Sequence, residues 1–299
     1  MPEARSHIQR NHALTRRECL AVLTAVPAAA ASAPPAFGAQ LYTVRAPLRK
    51  EPDRILRAIA DMGFRQVEGY NRLVSLALLP KLRQFGLALR SCAVETPLLT
   101  NNWEPFPELK PLSVKEAVDS LAEAGAEFFV MDYIPPGARG DGEDFFRRTA
   151  DRMNAAAELC RKAGLKFLWR NHAFEFAGRP GLRPLDLYRE RLDLKLVGME
   201  ADVFWLSMAG LDPVKMLKEW KGHVPAVRLN DRAKGTPGQF DESIGLGAYT
   251  EAGTGVIDFP AIVKAAPAAG VKFCSVGQDE TEGDPLESLR KSWTYLKNL

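Results

Sequence analysis

The chain has 299 residues, of which 46% are hydrophobic and 26% are charged, so it carries enough apolar material for one large folded core. Four arginines and two acids lie in the first 33 residues, and the rest of the chain carries 36 basic and 35 acidic side chains. This near balance argues against nucleic acid or an anionic membrane as the main partner.

The first 33 residues have the layout of an export signal. Arg16 and Arg17 precede the apolar run AVLTAVPAAAASA, which ends in the small residues Ala31-Ser32-Ala33. Charges ahead of a short apolar stretch with a small-residue end are typical of a cleavable secretory signal, and the paired arginines indicate the twin-arginine route. The alternative is a frayed helical N-terminus. We therefore expect residues 1–33 to be a twin-arginine signal peptide and the protein to act in the periplasm or cell envelope, without stable membrane insertion.

Residues 34–299 are predicted to form one domain of alternating strands and helices. The predicted strands are 39–44, 65–70, 87–94, 127–132, 166–172, 195–202, 224–230 and 272–279. Amphipathic stretches lie between them, and several end in a glycine placed as a helix cap, namely Gly63, Gly125, Gly164, Gly222 and Gly270. This order predicts a single (β/α)₈ TIM barrel, a parallel eight-stranded barrel with outer helices. The alternative, a doubly wound open sheet, would need a glycine-rich turn after the first strand, which QLYTVRAPLRKEPD lacks.

Several segments carry a family likeness. They include FGAQLYTVR (37–45), NHAFEF (171–176), EADVFW (200–205) and GTGVIDFP (253–260). In this order, across essentially the whole mature chain, they resemble the xylose isomerase-like TIM barrels of the sugar phosphate isomerase/epimerase and endonuclease-IV-like superfamily. The resemblance implies an enzyme that acts on a sugar, keto-sugar or cyclic polyol by moving a proton next to a carbonyl group.

The resemblance also implies a divalent cation such as Mn²⁺ at the C-terminal mouth of the barrel. The positions that correspond to its ligands hold Arg170, Asp202, Arg228 and Gly277, so Asp202 alone keeps a ligand. Two guanidinium groups repel a dication and cannot lose their charge. We therefore predict that this metal site is degraded, that the protein binds no cofactor and that the mouth is positively charged. The alternative is a bound cation with Asp202 as a ligand.

The two arginines allow two interpretations, and the sequence leaves both open. In the first, Arg170 and Arg228 bind a carboxylate, phosphate or enolate-like oxygen of the substrate in place of the cation. In the second, they pair with Glu200 and Asp202 and fill the vacated space.

Five other residues are candidates for the site. Glu200 and His172 lie near the ends of the sixth and fifth predicted strands, where a carboxylate and an imidazole can act as general base and acid. The alternative is that each orients a neighbour. Glu68, Asn230 and Trp205 are predicted substrate contacts; the alternative for Glu68 is a helix cap or a salt bridge, and for Trp205 a place in the core.

Two functions of different classes remain. One is a sugar isomerase, epimerase or related lyase, with a small-molecule sugar or polyol as its partner. The other is a catalytically inactive barrel that binds carbohydrate or serves an active subunit. The sequence leaves an oligomer open.

Overall fold

The strands of the chain alternate with helices in the predicted order. A computed structural model describes residues 33–104, 112–140 and 142–299. Residues 1–32, which hold almost all of the predicted signal peptide, lie outside this range. Within the described residues, no helix is both long and apolar enough to cross a membrane.

Eight parallel strands close into a barrel. In chain order the strands are β1 (Ala36–Gln40), β2 (Gln66–Gly69), β3 (Ala88–Val94), β4 (Phe128–Met131), β5 (Lys166–Arg170), β6 (Val197–Asp202), β7 (Ala226–Leu229), β8 (Asp231–Arg232), β9 (Tyr249–Thr250) and β10 (Phe273–Val276). The barrel consists of β1 to β7 and β10, which closes against β1, whereas β8 and β9 form a separate antiparallel pair. All eight predicted strands are present, and the predicted TIM barrel is confirmed.

Helices follow the strands around the barrel. They are α1 (Arg45–Lys50), α2 (Pro52–Asp61), α3 (Arg72–Ala77), α4 (Leu79–Gln84), α5 (Pro97–Thr100), α6 (Val114–Glu123), α7 (Glu143–Lys162), α8 (Pro184–Arg191), α9 (Val203–Met208), α10 (Pro213–Glu219), α11 (Phe259–Ala269) and α12 (Pro285–Leu296). The five glycines predicted as caps all have a φ between 80° and 101°. This left-handed conformation ends a helix at little cost because glycine has no Cβ.

The first strand ends earlier than predicted. The strand was expected over 39–44, but β1 stops at Gln40, and the next four residues form a turn that leads into α1. The backbone N–H of Leu48 bonds to the carbonyl of Val44 at 2.8 Å, so the end of this turn already belongs to the helix. Leu41 and Val44 are fully buried. Their apolar character therefore reflects a buried turn, which the pattern alone does not distinguish from a strand.

The barrel interior changes from apolar to charged along the strands. Alternate residues of a strand face the same side of the sheet. An apolar cluster fills the lower interior and consists of Phe128, Val130, Leu168, Ala226 and Phe273. Two positions beyond Val130, Leu168 and Ala226 stand Asp132, Arg170 and Arg228. A charged layer therefore lies at the C-terminal ends of the strands, where TIM barrels place their sites.

Candidate active site

A cavity of about 300 Å³ opens at the C-terminal mouth of the barrel. Four aromatic side chains line it, namely Tyr42, Tyr133, Trp205 and Tyr249. Its polar lining consists of Gln40, Asp132, His172, Arg228, Glu242, Asp279 and Glu280. Three of the eight predicted site residues, His172, Arg228 and Trp205, therefore meet at one cavity.

Arg170 lies beneath this cavity and does not line it. The register of β5 against β6 pairs Arg170 with Glu200. Its side chain is fully buried, and its three nitrogens contact Glu200 at 2.9 Å, Asp132 at 2.5 Å and Glu68 at 2.5 Å. Burial lowers the pKa of Arg170, but these three carboxylates outweigh burial and raise the pKa well above its usual value. The guanidinium is therefore held by the protein and does not take the predicted place against a substrate.

Glu68 and Glu200 are the buried partners of Arg170. Both side chains have no exposed surface. Burial raises the pKa of Glu200 well above its usual value; the charge of Arg170 opposes this effect, and the neighbouring Glu68 adds to it. Neither residue is among those that line the cavity, and the roles of Glu200 as a general base and of Glu68 as a substrate contact stay predictions.

Arg228 is the arginine that faces the cavity. The register of β6 against β7 places it beside Asp202. Its guanidinium contacts Asp202 at 3.5 Å and also donates to Asp279. Its Nε is buried and has no hydrogen-bond partner among the described residues. The pairing interpretation thus holds for both arginines, and Arg228 in addition presents a cation to the cavity.

Asp202 has a structural partner besides Arg228. Its carboxylate accepts the backbone N–H groups of Phe204 at 3.0 Å and Trp205 at 3.4 Å, which caps the start of α9. Burial raises the pKa of Asp202 to about 7, against the opposing charge of Arg228.

Two of the residues at the metal positions implied by the family are arginines, whose charges repel a divalent cation. Arg170 and Arg228 place two fixed positive charges there. A Cβ at Gly277 would lie 2.8 Å from the Cβ of Gln40 and 2.9 Å from Oγ1 of Thr43, so the space for a longer side chain is filled. In the part of the chain that the structure describes, no group of three or more His, Cys, Asp or Glu residues is arranged to hold a metal ion.

His172 packs between aromatic side chains at the cavity wall. Its ring centroid lies 4.5 Å from that of Tyr133 and 5.1 Å from that of Trp205. Burial, helped by the charge of Arg170, lowers the pKa of His172 well below its usual value, so the ring is neutral at neutral pH. Its Nδ1 is buried without a hydrogen-bond partner among residues 33–104, 112–140 and 142–299. The backbone N–H of His172 donates to Glu175 at 2.9 Å.

Asn230 stands apart from the other candidates. It is fully buried and does not line the cavity. Neither polar atom of its side chain has a hydrogen-bond partner among the described residues. The structure therefore does not bring Asn230 to the cavity with His172 and Arg228.

Asp132 is a site residue that the sequence reasoning missed. It follows β4 directly, contacts Arg170 and has 28% of its side chain exposed at the cavity. A polar residue at the end of a predicted barrel strand was the available signal. Tyr133 and Glu242, which form a hydrogen bond of 3.1 Å, come from loops whose meeting no spacing in the sequence indicates.

The charge of the mouth differs from the prediction. Four carboxylates line the cavity, from Asp132, Glu242, Asp279 and Glu280, against the single guanidinium of Arg228. The prediction of a positively charged mouth is therefore wrong. It counted the residues at the family's metal positions and omitted Asp132 and Asp279 at the ends of predicted strands and Glu242 and Glu280 in the loops.

The fold and cavity define a TIM-barrel protein whose site lies at the C-terminal mouth. Residues 56–299 match the family described as xylose isomerase-like TIM barrel, so the chain belongs to this family. An inosose dehydratase from Clostridium botulinum is 26% identical over 165 residues, which cover 52% of this chain and 55% of that protein. Another, from Geobacillus thermodenitrificans, is 24% identical over 216 residues, which cover 65% of this chain and 72% of that protein. The chain thus spans about half the length of the first of these relatives.

Solved structures share the same fold. A sugar phosphate isomerase/epimerase from Parabacteroides distasonis is 23% identical, with a TM-score of 0.67, and the match covers 90% of this chain and 95% of that one. At this identity the likeness concerns the barrel itself, and the chemistry has to be argued from the residues of the site.

Proposed function

We propose that this protein is an enzyme of the sugar isomerase superfamily that removes a proton next to a carbonyl group of a sugar, keto-sugar or cyclic polyol. One observation carries the proposal: the His172 ring, the Arg228 guanidinium and the Asp132 carboxylate all line one cavity at the mouth of the barrel. The related inosose dehydratases are enzymes, so the alternative of an inactive carbohydrate-binding barrel finds no support in them.

Each group has a role in such a proton transfer. The N–H groups of Arg228 donate to the carbonyl oxygen and stabilise the negative charge that develops on it as the proton leaves. Asp202 and Asp279 hold that guanidinium in place. The unprotonated His172 accepts the proton, and the carboxylate of Asp132 lies within the same cavity. Glu68, Arg170 and Glu200 form the support that positions Asp132.

Hydrogen–deuterium exchange at the substrate carbon tests this proposal. Isomerisation, epimerisation and elimination all begin with loss of the same proton, so incubation of ketoses, keto-glycosides and inososes in D₂O, followed by NMR, detects every variant of the reaction. We expect wild-type protein to exchange a proton next to the carbonyl and His172→Asn to lower that rate about 100-fold or more. His223→Asn is the matched control, because His223 bonds to the carbonyl of Leu194 and does not line the cavity. Equal rates in the wild type and His172→Asn would exclude His172 as the acceptor.

We further propose that the reaction needs no bound divalent cation. The two guanidinium groups and the filled space at Gly277 support this proposal. We expect elemental analysis of protein purified without added metal to find less than about 0.1 metal ion per chain, which is incidental binding. Exchange should proceed at an unchanged rate after dialysis against EDTA. Loss of exchange that Mn²⁺ restores would overturn this part of the proposal.

A further inference from the structure

We propose that the cavity takes an uncharged, polyhydroxylated ring and discriminates against its phosphorylated counterpart. The inference rests on the proposed function, because it names the substrate class of the same site. Two features of the mouth support it: the pairing of its arginines with carboxylates, which also suit hydroxyl groups, and the caps of its helices.

The arginines around the mouth are already engaged by carboxylates. The ion pairs are Arg45–Glu280, Arg139–Glu242, Arg170–Asp132 and Arg228–Asp279. Among the residues that the structure describes, no lysine lines the cavity and Arg228 is the one arginine of its lining. A phosphate group needs an excess of positive charge to bind, and here the charges of these arginines are already balanced by four carboxylates, which repel it.

The helices that follow the last two barrel strands are closed to an anion as well. TIM barrels often bind phosphate at helix N-termini after their seventh and eighth strands, where free backbone N–H groups point at the ligand. In this chain, Asp258 accepts the N–H of Ala261 at 3.0 Å at the start of α11. Asp284 likewise accepts the N–H of Leu286 at 3.0 Å at the start of α12. Each helix start thus carries a carboxylate of the protein itself, which repels a phosphate.

The same carboxylates suit hydroxyl groups. An ionised carboxylate has about four lone-pair sites, so one that is bonded to an arginine still accepts hydrogen bonds from a ligand. Asp132, Glu242, Asp279 and Glu280 therefore offer acceptors on several sides of the cavity. Tyr42 and Trp205 add flat aromatic surface for the C–H face of a ring. The volume of about 300 Å³ is at the small end of ligand pockets and fits one ring better than a long oligosaccharide.

Binding measurements on matched ligands test the inference. We would compare D-glucose, D-fructose and myo-inositol with their monophosphates, and with inorganic phosphate alone, by saturation-transfer NMR and calorimetry on the wild-type chain. We expect each neutral ligand that binds to have a Kd at least tenfold below that of its monophosphate. Tighter or equal binding of the monophosphates would overturn the inference, and so would binding of neither class.

A single substitution provides the converse test. Asp279→Asn removes the charge that holds Arg228, so we expect the variant to bind inorganic phosphate at least tenfold more tightly than the wild type. Glu127→Gln is the matched control: Glu127 precedes β4 at the opposite end of the barrel and pairs with Arg90 of β3, so its loss should leave phosphate binding unchanged. Unchanged phosphate affinity in Asp279→Asn would contradict the inference.

The outcomes also separate the inference from the proposed function. Selective binding of neutral ligands without any proton exchange supports the inference and contradicts the function. Proton exchange with a phosphorylated substrate in preference to its neutral counterpart supports the function and contradicts the inference.

Discussion

Glu175 shows how one buried carboxyl group links the site to pH. Burial raises its pKa from the ordinary value of 4.5 to about 8, although the backbone N–H of His172 stabilises the charged form. The folded protein thus keeps this group protonated at a pH where the unfolded chain has lost the proton. Its contribution to stability is therefore complete below pH 4.5 and is lost as the pH rises through 8.

The variant Glu175→Gln should remove this dependence, because an amide retains an acceptor for the N–H of His172 but does not titrate. We expect the free energy of unfolding of the wild type to fall relative to that of the variant by about 1.4 kcal/mol per pH unit between the two pKa values. Urea denaturation of both proteins at pH 5, 6, 7 and 8 measures the difference. Parallel pH curves would show that Glu175 is ionised in the folded state.

At the scale of elements, the loops after β4 and β7 are joined across the cavity. Arg139, from the loop after β4, pairs with Glu242, from the long segment between β8 and β9, and Tyr133 bonds to the same carboxylate. The guanidinium of Arg139 also lies 3.4 Å from the ring centroid of Phe174. These contacts fix two segments that otherwise contain little regular structure.

Removing the arginine should loosen both loops. For Arg139→Ala we expect amide hydrogen exchange to accelerate about tenfold in residues 133–140 and 233–248 and to stay unchanged in the barrel strands, because local openings draw on local contacts. Mass spectrometry of peptic fragments measures this. Arg147→Ala, which breaks more exposed pairs with Glu143 and Glu190 on the outer helices, is the control and should leave both loops as they are. Protection of the loops equal to that of the wild type would mean that other contacts hold them.

The elements were predictable where the pattern is periodic and local. Short β-rich strands that are buried on both faces and helices that end in glycine follow from composition, spacing and backbone sterics, so β2 to β7 and β10 fall within their predicted segments. The short β8–β9 pair was missed, because two-residue strands have no period. In the site, Arg228 and His172 were found since they lie on or beside strands. Glu242 and Tyr249 reach the cavity through loops, and their positions depend on tertiary contacts. The burial of Arg170 by Glu68 and Asp132 depends on strand register, which the sequence does not specify by itself.

At the scale of the whole molecule, we propose that the chain is exported through its twin-arginine signal. Replacing Arg16 and Arg17 together by lysine should keep the full-length protein in the cytoplasm, because this route reads the arginine pair and not simply its charge. Cell fractionation and immunoblotting measure the distribution. Replacing Arg5 and Arg10 by lysine is the matched control and should leave export unchanged. Equal export of both variants would rule out the twin-arginine route.

The guanidinium groups of Arg170 and Arg228 provide positive charge at the mouth of the barrel as part of the chain itself. A bound cation exchanges with its surroundings, and occupancy of its site follows the concentration of metal and the pH. Arg170 and Arg228 are made with the chain, one of each per molecule, and no chelator removes them or replaces them with a competing ion. Under the proposal that the reaction needs no bound cation, the site is complete as soon as the chain folds, whatever the supply of metal in its compartment.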